Sequence, residues 1–358
     1  MTDVIPTEIS PEIEAKSAFP LFTIETPERA SPENVKKIKA LNNAFATLHV
    51  LGLWQKNIEQ LETFDSLALS QQSLRMNDLW RESRDFYRQS ENLGKQIEEI
   101  GERIIGAKKG ELFTQRKSLK VENPESLALL AAKLPQIYHD VGNSFNYIIG
   151  FISLEDPELL TEHLPKASSN LRSTLEAKSK LIEDEYPKET LPAIKLRGEV
   201  EFTSFLLEVN GIKPEFEETL PPVEVVWSKA WFITLLENVF QNTKKVYKDK
   251  EQALNTELGP EEKILKVNFQ TTQESGRDYL DVVFEDRGLG YTPEILEKGF
   301  QKGYSSWQTK GVEGTGIGME AQSQALKVYG GKLIPENVTD QEGKTIGARL
   351  TVRLPVHH

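Results

Sequence analysis

Asp286-Arg287-Gly288-Leu289-Gly290 and Gly314-Thr315-Gly316-Ile317-Gly318, with Asn238-Val239-Phe240-Gln241-Asn242 upstream of both, decide how this chain reads. Asp286 ends a predicted strand and opens a glycine-rich turn. A carboxylate there can accept a hydrogen bond from an exocyclic amine such as that of adenine, while glycine lets the backbone approach a ligand closely. Gly314, Gly316 and Gly318 precede a predicted helix, so backbone N–H groups and the helix N-terminus can receive phosphate. Asn238 and Asn242 stand one helical turn apart and share a face with Lys245. A neutral amide oxygen suits a Mg²⁺ ion whose charge is already compensated by phosphate oxygens. Taken singly, each motif has a plain structural alternative: solvated asparagines, an ordinary turn, a glycine-rich loop. Their order along one chain points to a nucleotide site, with the stretch between Phe300 and Gly314 long enough to close over it.

Around these motifs the pattern mixes element types. Residues 264–270 and 279–285 alternate in polarity and read as a pair of strands, and 349–354 as another. Helices are expected at 231–247 and 318–329, the second ending at Gly330-Gly331. From about residue 187 to 358 this predicts an α+β domain, a mixed sheet with helices on one face.

Upstream the chain reads as helical. Leu130, Leu134, Ile137, Val141, Phe145, Ile148 and Ile152 form a stripe at steps of three and four. His139 lies two residues from both Ile137 and Val141, which at about 100° per residue turns it roughly 200° from the stripe and towards solvent. Asn143 falls one turn on along the same face. A second amphipathic segment, from about Pro157 to Ile182, would fold back to make a hairpin over 123–186. Two such arms leave apolar surface uncovered, so pairing of two copies into a four-helix bundle is expected.

Before the hairpin, Ile38, Leu41, Phe45, Leu48 and Leu51 mark an amphipathic helix, with Ser31 and Pro32 as its start. Leu79, Phe86, Leu93 and Ile100 recur every seven residues and predict one long helix in a bundle or coiled coil, within or between chains. Residues 31–122 thus form a helical region in which no chemistry is visible. Residues 1–30 hold four prolines and read as a flexible arm, in which Phe19-Pro20-Leu21-Phe22 has the character of a docking segment.

Composition limits the alternatives. The 358 residues suffice for two or three domains, and 38% hydrophobic with 27% charged residues is ordinary for a globular protein. A net charge of −12 argues against a general nucleic-acid binder, which needs excess Lys and Arg. With no cysteine there are no disulfides or thiolate metal sites. No apolar run approaches the roughly 20 residues that span a bilayer, and no signal peptide is visible, so a cytoplasmic location is expected.

Asn238/Asn242, Asp286-x-Gly288-x-Gly290, Phe300 and Gly314-x-Gly316-x-Gly318 resemble the N, G1, F and G2 boxes of the Bergerat-fold (GHKL) ATP-binding domain. His139-Asp140-Val141-Gly142-Asn143 resembles the H box of sensor histidine kinases, on the helix where that family places it. The likeness covers about residues 126–355. It implies a Bergerat-type α+β sandwich, Mg-ATP-dependent autophosphorylation of His139, transfer to an aspartate of a response-regulator receiver domain, and a homodimer. By position, Asn242 would be the Mg²⁺ ligand with Asn238 its companion, Lys245 a phosphate contact, and Asp286 the adenine-amine acceptor. Asp140 would make His139 nucleophilic, and Asn143 would position water in the phosphatase reaction that many members also run. This chain departs from the pattern at Ser144, where the H-box proline is usual, and at Gly142, Pro135, Thr243 and Ala348. Hydrolytic relatives carry a glutamate at the position of Asn238. An amide cannot act as that base, which favours kinase over ATPase. A degenerate kinase that binds ATP and signals through its helices is the other reading.

Overall fold

The computed structural model describes residues 17–27, 30–61, 64–88, 91–106, 116–121, 123–154, 156–298, 300 and 317–358. Gly314, Gly316 and most of the stretch after Phe300 lie outside the described residues. The chain divides into two compact units, 1–175 and 176–358.

The first unit is mostly helical. Helix α1 (Pro32–Glu59) starts where the sequence predicts, with the Ser31 hydroxyl accepting from Asn34 N at 3.2 Å. Helix α2 (Ser66–Arg84) is capped by Asp65 in the same way. The predicted long helix is interrupted: after α2 come a 3₁₀ turn at Phe86–Arg88, helix α3 (Glu91–Ile100) and a π turn at Gly101–Ile105. Leu79, Phe86 and Leu93 of the series are still buried, and Ile100 is half-buried. The seven-residue spacing therefore marks residues that share a core across a break, and an unbroken helix is not needed to bury them.

The proline-rich start also gains structure. Leu21–Ile24 forms strand β1, paired in parallel with β2 (Arg116–Leu119). Phe19 and Phe22 are fully buried against Phe45. Asn42 of α1 replaces a missing strand neighbour: its amide accepts from Ile24 N at 2.8 Å and donates to Ile24 O at 3.1 Å. His49 Nδ1 meets Phe19 O at 2.7 Å, and a Cβ on Gly52 would collide with Ser17. The docking segment read from the sequence docks on the chain itself.

Helix α4 (Pro124–Leu154) runs without interruption through Pro135, which sits on its exposed side. Its apolar stripe is buried by α1 and α2. Trp80 of α2 stacks on Tyr138 with ring centroids 4.4 Å apart, and Trp54 of α1 meets Phe145 edge-on at 5.5 Å. The Tyr138 hydroxyl donates to Ala44 O at 3.1 Å. A Cβ on Gly142 would already lie 3.3 Å from the Trp80 ring, so glycine here admits the indole. Helix α5 (Pro157–Glu183) completes the packing through polar pairs, Ser144 with Thr174 at 3.1 Å and Gln55 with Ser168 at 3.1 Å. Within the chain, α1, α2, α4 and α5 pack together over this stripe.

The second unit is an α/β domain with a mixed five-stranded sheet, ordered β4 (Lys213–Phe216), β6 (Ile264–Glu274), β7 (Arg277–Asp286), β9 (Thr345–Pro355), β8 (Lys332–Thr339). β4 joins β6 in parallel and the other pairs are antiparallel. The β6–β7 hairpin turns at Ser275 and Gly276, both with positive φ, as a two-residue hairpin requires. A separate pair, β3 (Glu189–Pro192) with β5 (Glu224–Trp227), flanks helix α6 (Ala193–Glu208). Val267 and Phe269, Val282 and Phe284, and Leu350, Val352 and Leu354 form one core cluster with Phe232, Leu235, Leu236, Val239 and Phe240 of α7 (Lys229–Leu254) and Leu326 of α9 (Ile317–Val328). The opposite sheet face is polar, where Arg353 forms a bidentate pair with buried Asp281 at 2.8 and 2.7 Å.

Trp80→Ala leaves a void against Tyr138 and Phe145 and is expected to cost about 3–5 kcal/mol of unfolding free energy. Urea denaturation of the full chain measures it, and a loss below about 1 kcal/mol would show that α2 does not cover α4.

Candidate functional site

Helix α7 organises the second unit's motifs. Its apolar side enters the core, and the row Asn238, Asn242, Val246, spaced by four residues, runs along another side. One glycine of each motif, Gly288 and Gly318, meets this row. A Cβ on Gly318, at the start of α9, would collide with the Asn238 carboxamide. A Cβ on Gly288 would collide with Val246 Cγ1 and come within 2.8 Å of Asp286 Oδ1. Asn242 thus lies between the two glycine contacts, half-buried, with Lys245 half-buried nearby. Asn238 Nδ2 donates to Thr234 O at 2.8 Å, which orients the amide.

Asp286 falls on the helix-facing side of the sheet, in step with Phe284 and Val282. Its Oδ1 accepts from Gly288 N at 2.7 Å and from Ala348 N at 3.4 Å. Among the described residues neither bond uses Oδ2, which is left to accept another donor. Burial raises the Asp286 carboxyl above its ordinary range, against the lowering effect of those two N–H groups and of Lys250. Gly290 has φ +79°, and a Cβ there would collide with Thr345 and approach Asn337.

Several supporting residues carry no local sequence signal. The Tyr247 hydroxyl donates to Ile264 O and accepts from Ile264 N and Arg287 N, each at 3.0 Å, joining α7 to β6 and to the turn after Asp286. Burial pushes this phenol up to about 12, so it stays neutral and keeps its proton to donate. Asn337 on β8 holds the backbone of Tyr291, accepting from its N–H at 2.6 Å and donating to its carbonyl at 3.1 Å. Gly347 on β9 is required because a Cβ would strike the Asp286 carbonyl. Phe300 packs edge-on against Tyr291 with centroids 6.3 Å apart. Lys178, buried near the end of α5, donates to Thr234 Oγ1 at 2.6 Å one turn before Asn238.

In the first unit, His139, Asp140 and Asn143 stand together on α4. The His139 side chain is 65% exposed, as its offset from the stripe predicts, whereas Asp140 is 4% exposed. Asp140 Oδ1 lies 3.0 Å from His139 Nδ1, and Asn143 Nδ2 lies 3.5 Å from the same ring nitrogen. A neutral imidazole whose Nδ1–H donates to Asp140 carries its lone pair on Nε2. Gln136 also joins this group, its Nε2 donating to Asp140 Oδ1 at 2.6 Å.

No family model matches the chain. Over 95 residues, 24% of this chain, it is 33% identical to the sensor protein ChvG of Agrobacterium fabrum, and that stretch spans 16% of ChvG. Among solved structures, the mycobacterial sensor histidine kinase MprB aligns with 48% of this chain and 99% of its own, at TM-score 0.35 and 17% identity. The catalytic domain of histidine kinase ThkA aligns with 47% of this chain and 97% of its own, at TM-score 0.34 and 17% identity. The Acinetobacter baumannii histidine kinase AdeS aligns with 63% of this chain and 98% of its own, at TM-score 0.34 and 14% identity. No helix among the described residues is long and apolar enough to cross a membrane.

Because burial raises the Asp286 carboxyl, its neutral form favours folding, and that contribution is lost as pH rises through the raised value. Wild type is therefore expected to lose stability relative to Asp286→Asn as pH rises from the ordinary carboxylate range. Denaturation of both proteins across that range reads the slope, and a relative gain with pH would contradict it. Motifs and sequence match share one likeness: this chain is similar to sensor histidine kinases.

Proposed function

We propose that this chain is an ATP-dependent histidine kinase that phosphorylates its own His139 and passes the phosphoryl group to an aspartate of a response-regulator receiver domain. The observation that carries this reading is the His139–Asp140 contact, an exposed imidazole whose Nδ1 is held by a buried carboxylate at 3.0 Å. With hydrogen on Nδ1, Nε2 carries the ring's lone pair and would be the nucleophile. It forms a bond to the γ-phosphorus of ATP while the bond to the leaving ADP oxygen breaks and ADP takes the electron pair. Positive charge developing on the ring is balanced by Asp140, which draws the Nδ1 proton.

The row on α7 supports the nucleotide half. Asp286 Oδ2 would accept the adenine amine, and the backbone at Gly288 and Gly290 would pass close beside the base. Asn242 would hold Mg²⁺, with Asn238 beside it and Lys245 on a phosphate; the ion supplies charge neutralisation at the phosphates. Gly314, Gly316 and Gly318 would receive phosphate through backbone N–H groups. The Asn238 amide is engaged with Thr234 O and packed on Gly318, and it is not a base, which favours transfer over hydrolysis. Asn143, beside the acceptor ring, would orient water in a phosphatase reaction. The need for ATP and for a receiver domain sets this chemistry in the cytoplasm. A homodimer is supported by the family likeness alone, since α1 and α2 already cover α4.

Incubation with γ-labelled ATP and Mg²⁺ is expected to give an acid-labile, base-stable label that disappears in His139→Gln. Asp140→Asn should lower the labelling rate by about 10²–10⁴-fold. Tight ATP binding without any label would replace kinase by an ATP-binding signalling protein. In Asp286→Asn the amide can keep the Gly288 contact but presents a donor to the adenine amine. ATP affinity should fall about 10- to 100-fold by calorimetry, the size of a hydrogen bond to a charged group.

A further inference from the structure

Gln136 stands one turn before His139 on α4 and takes no part in the motifs read from the sequence. Neighbours i and i+1 on a helix do not face each other, so contact between His139 and Asp140 is not automatic. Gln136 is three residues before His139 and four before Asp140, which makes it the helical neighbour of both. Its Nε2 donates to Asp140 Oδ1 at 2.6 Å, the same oxygen that His139 Nδ1 meets at 3.0 Å. The carboxylate is 4% exposed while the imidazole it holds is 65% exposed. A buried carboxylate oxygen takes its direction from its donors, and the ring and Gln136 are two donors that meet on this one oxygen.

We propose that Gln136 is a positioning residue for phosphoryl acceptance: its amide fixes the Asp140 carboxylate towards His139 and so selects the ring tautomer with hydrogen on Nδ1 and the lone pair on Nε2. The catalytic consequence rests on the kinase reading above, but the tautomer itself does not. Without the amide donor, Asp140 rotates on its Cβ, the Nδ1–H bond weakens, and the ring shifts towards the Nε2–H form that free imidazole side chains favour. Nε2 is then occupied by a proton and its lone pair is lost to the reaction.

The test uses the full chain with ¹⁵N-labelled histidine, with the His139 ring signals assigned by their loss in His139→Gln. Gln136→Met keeps length and removes the donor; Gln136→Lys returns a donor to the same place. In wild type the signals should show protonated Nδ1 and bare Nε2. Gln136→Met should move them towards the opposite tautomer, and Gln136→Lys should move them back. In parallel, Gln136→Met should lower the maximal autophosphorylation rate about tenfold with an unchanged KM for ATP, the order that one charge-assisted hydrogen bond supplies. A Gln136→Met ring identical to wild type overturns the proposal, as does a slower rate with an unchanged tautomer. Failure of Gln136→Lys to restore the tautomer also overturns it. A shifted tautomer in a protein that takes no label from ATP leaves the positioning role standing and removes the kinase reading instead.

Discussion

The second unit depends on how closely backbone can approach helix α7. At two glycines, Gly288 just after strand β7 and Gly318 at the start of α9, the backbone presses against a row of α7 side chains with which any Cβ would collide. That closeness brings Asp286, at the end of a central strand, and the start of α9 to the same helix that carries Asn238 and Asn242. Strand β9 closes on Asp286 under the same constraint at Gly347. The helix can serve in this way because its other side, Phe232, Leu235, Leu236, Val239 and Phe240, is anchored in the core against the sheet. Hydrophobic burial fixes the helix, and glycine decides what can lie beside it.

The first unit solves a related problem with the opposite material. Helix α4 leaves His139 in water while burying a stripe of large side chains on the far side. Trp80 and Trp54 cover that stripe, and Gly142 supplies the space that the Trp80 indole occupies. Between α4, α1 and α5 the contacts are polar as well as apolar, Ser144 with Thr174 and Gln55 with Ser168. Buried pairs of this kind are satisfied only when particular helices face each other in register, so they favour this arrangement over others of similar apolar area. Gly142, which would weaken an isolated helix, is a point where α2 packs closely against α4.

Much of this was legible in the residues. Alternation over 264–270 and 279–285 located the central hairpin, and the three- and four-residue steps placed His139 on the exposed side of α4. The order of the asparagine and glycine motifs named the elements that meet at α7. Other features left no local trace. Asn337 and Tyr247 act through partners 46 and 17–40 residues away, so no spacing rule finds them. The seven-residue repeat through Leu79, Phe86 and Leu93 was real as a burial pattern but misleading as a helix. Periodicity reports which side chains share a core and is silent about a turn at Phe86 between them.

By itself the sequence determined the division into a helical half and a mixed α/β half, the exposed placement of His139, and the residue types able to meet a nucleotide. These follow from local rules, since helical period, strand alternation and glycine's freedom act within a few residues. Only the tertiary structure decided what covers α4, that Asp140 turns its carboxylate to the His139 ring, and that Gly288 and Gly318 close on one helix. Each of those outcomes depends on which distant surfaces meet, and a stripe of apolar side chains is satisfied equally by a second copy or by the chain's own α1 and α2. Close packing of Trp80 beside Gly142 is one contact by which α2 covers α4.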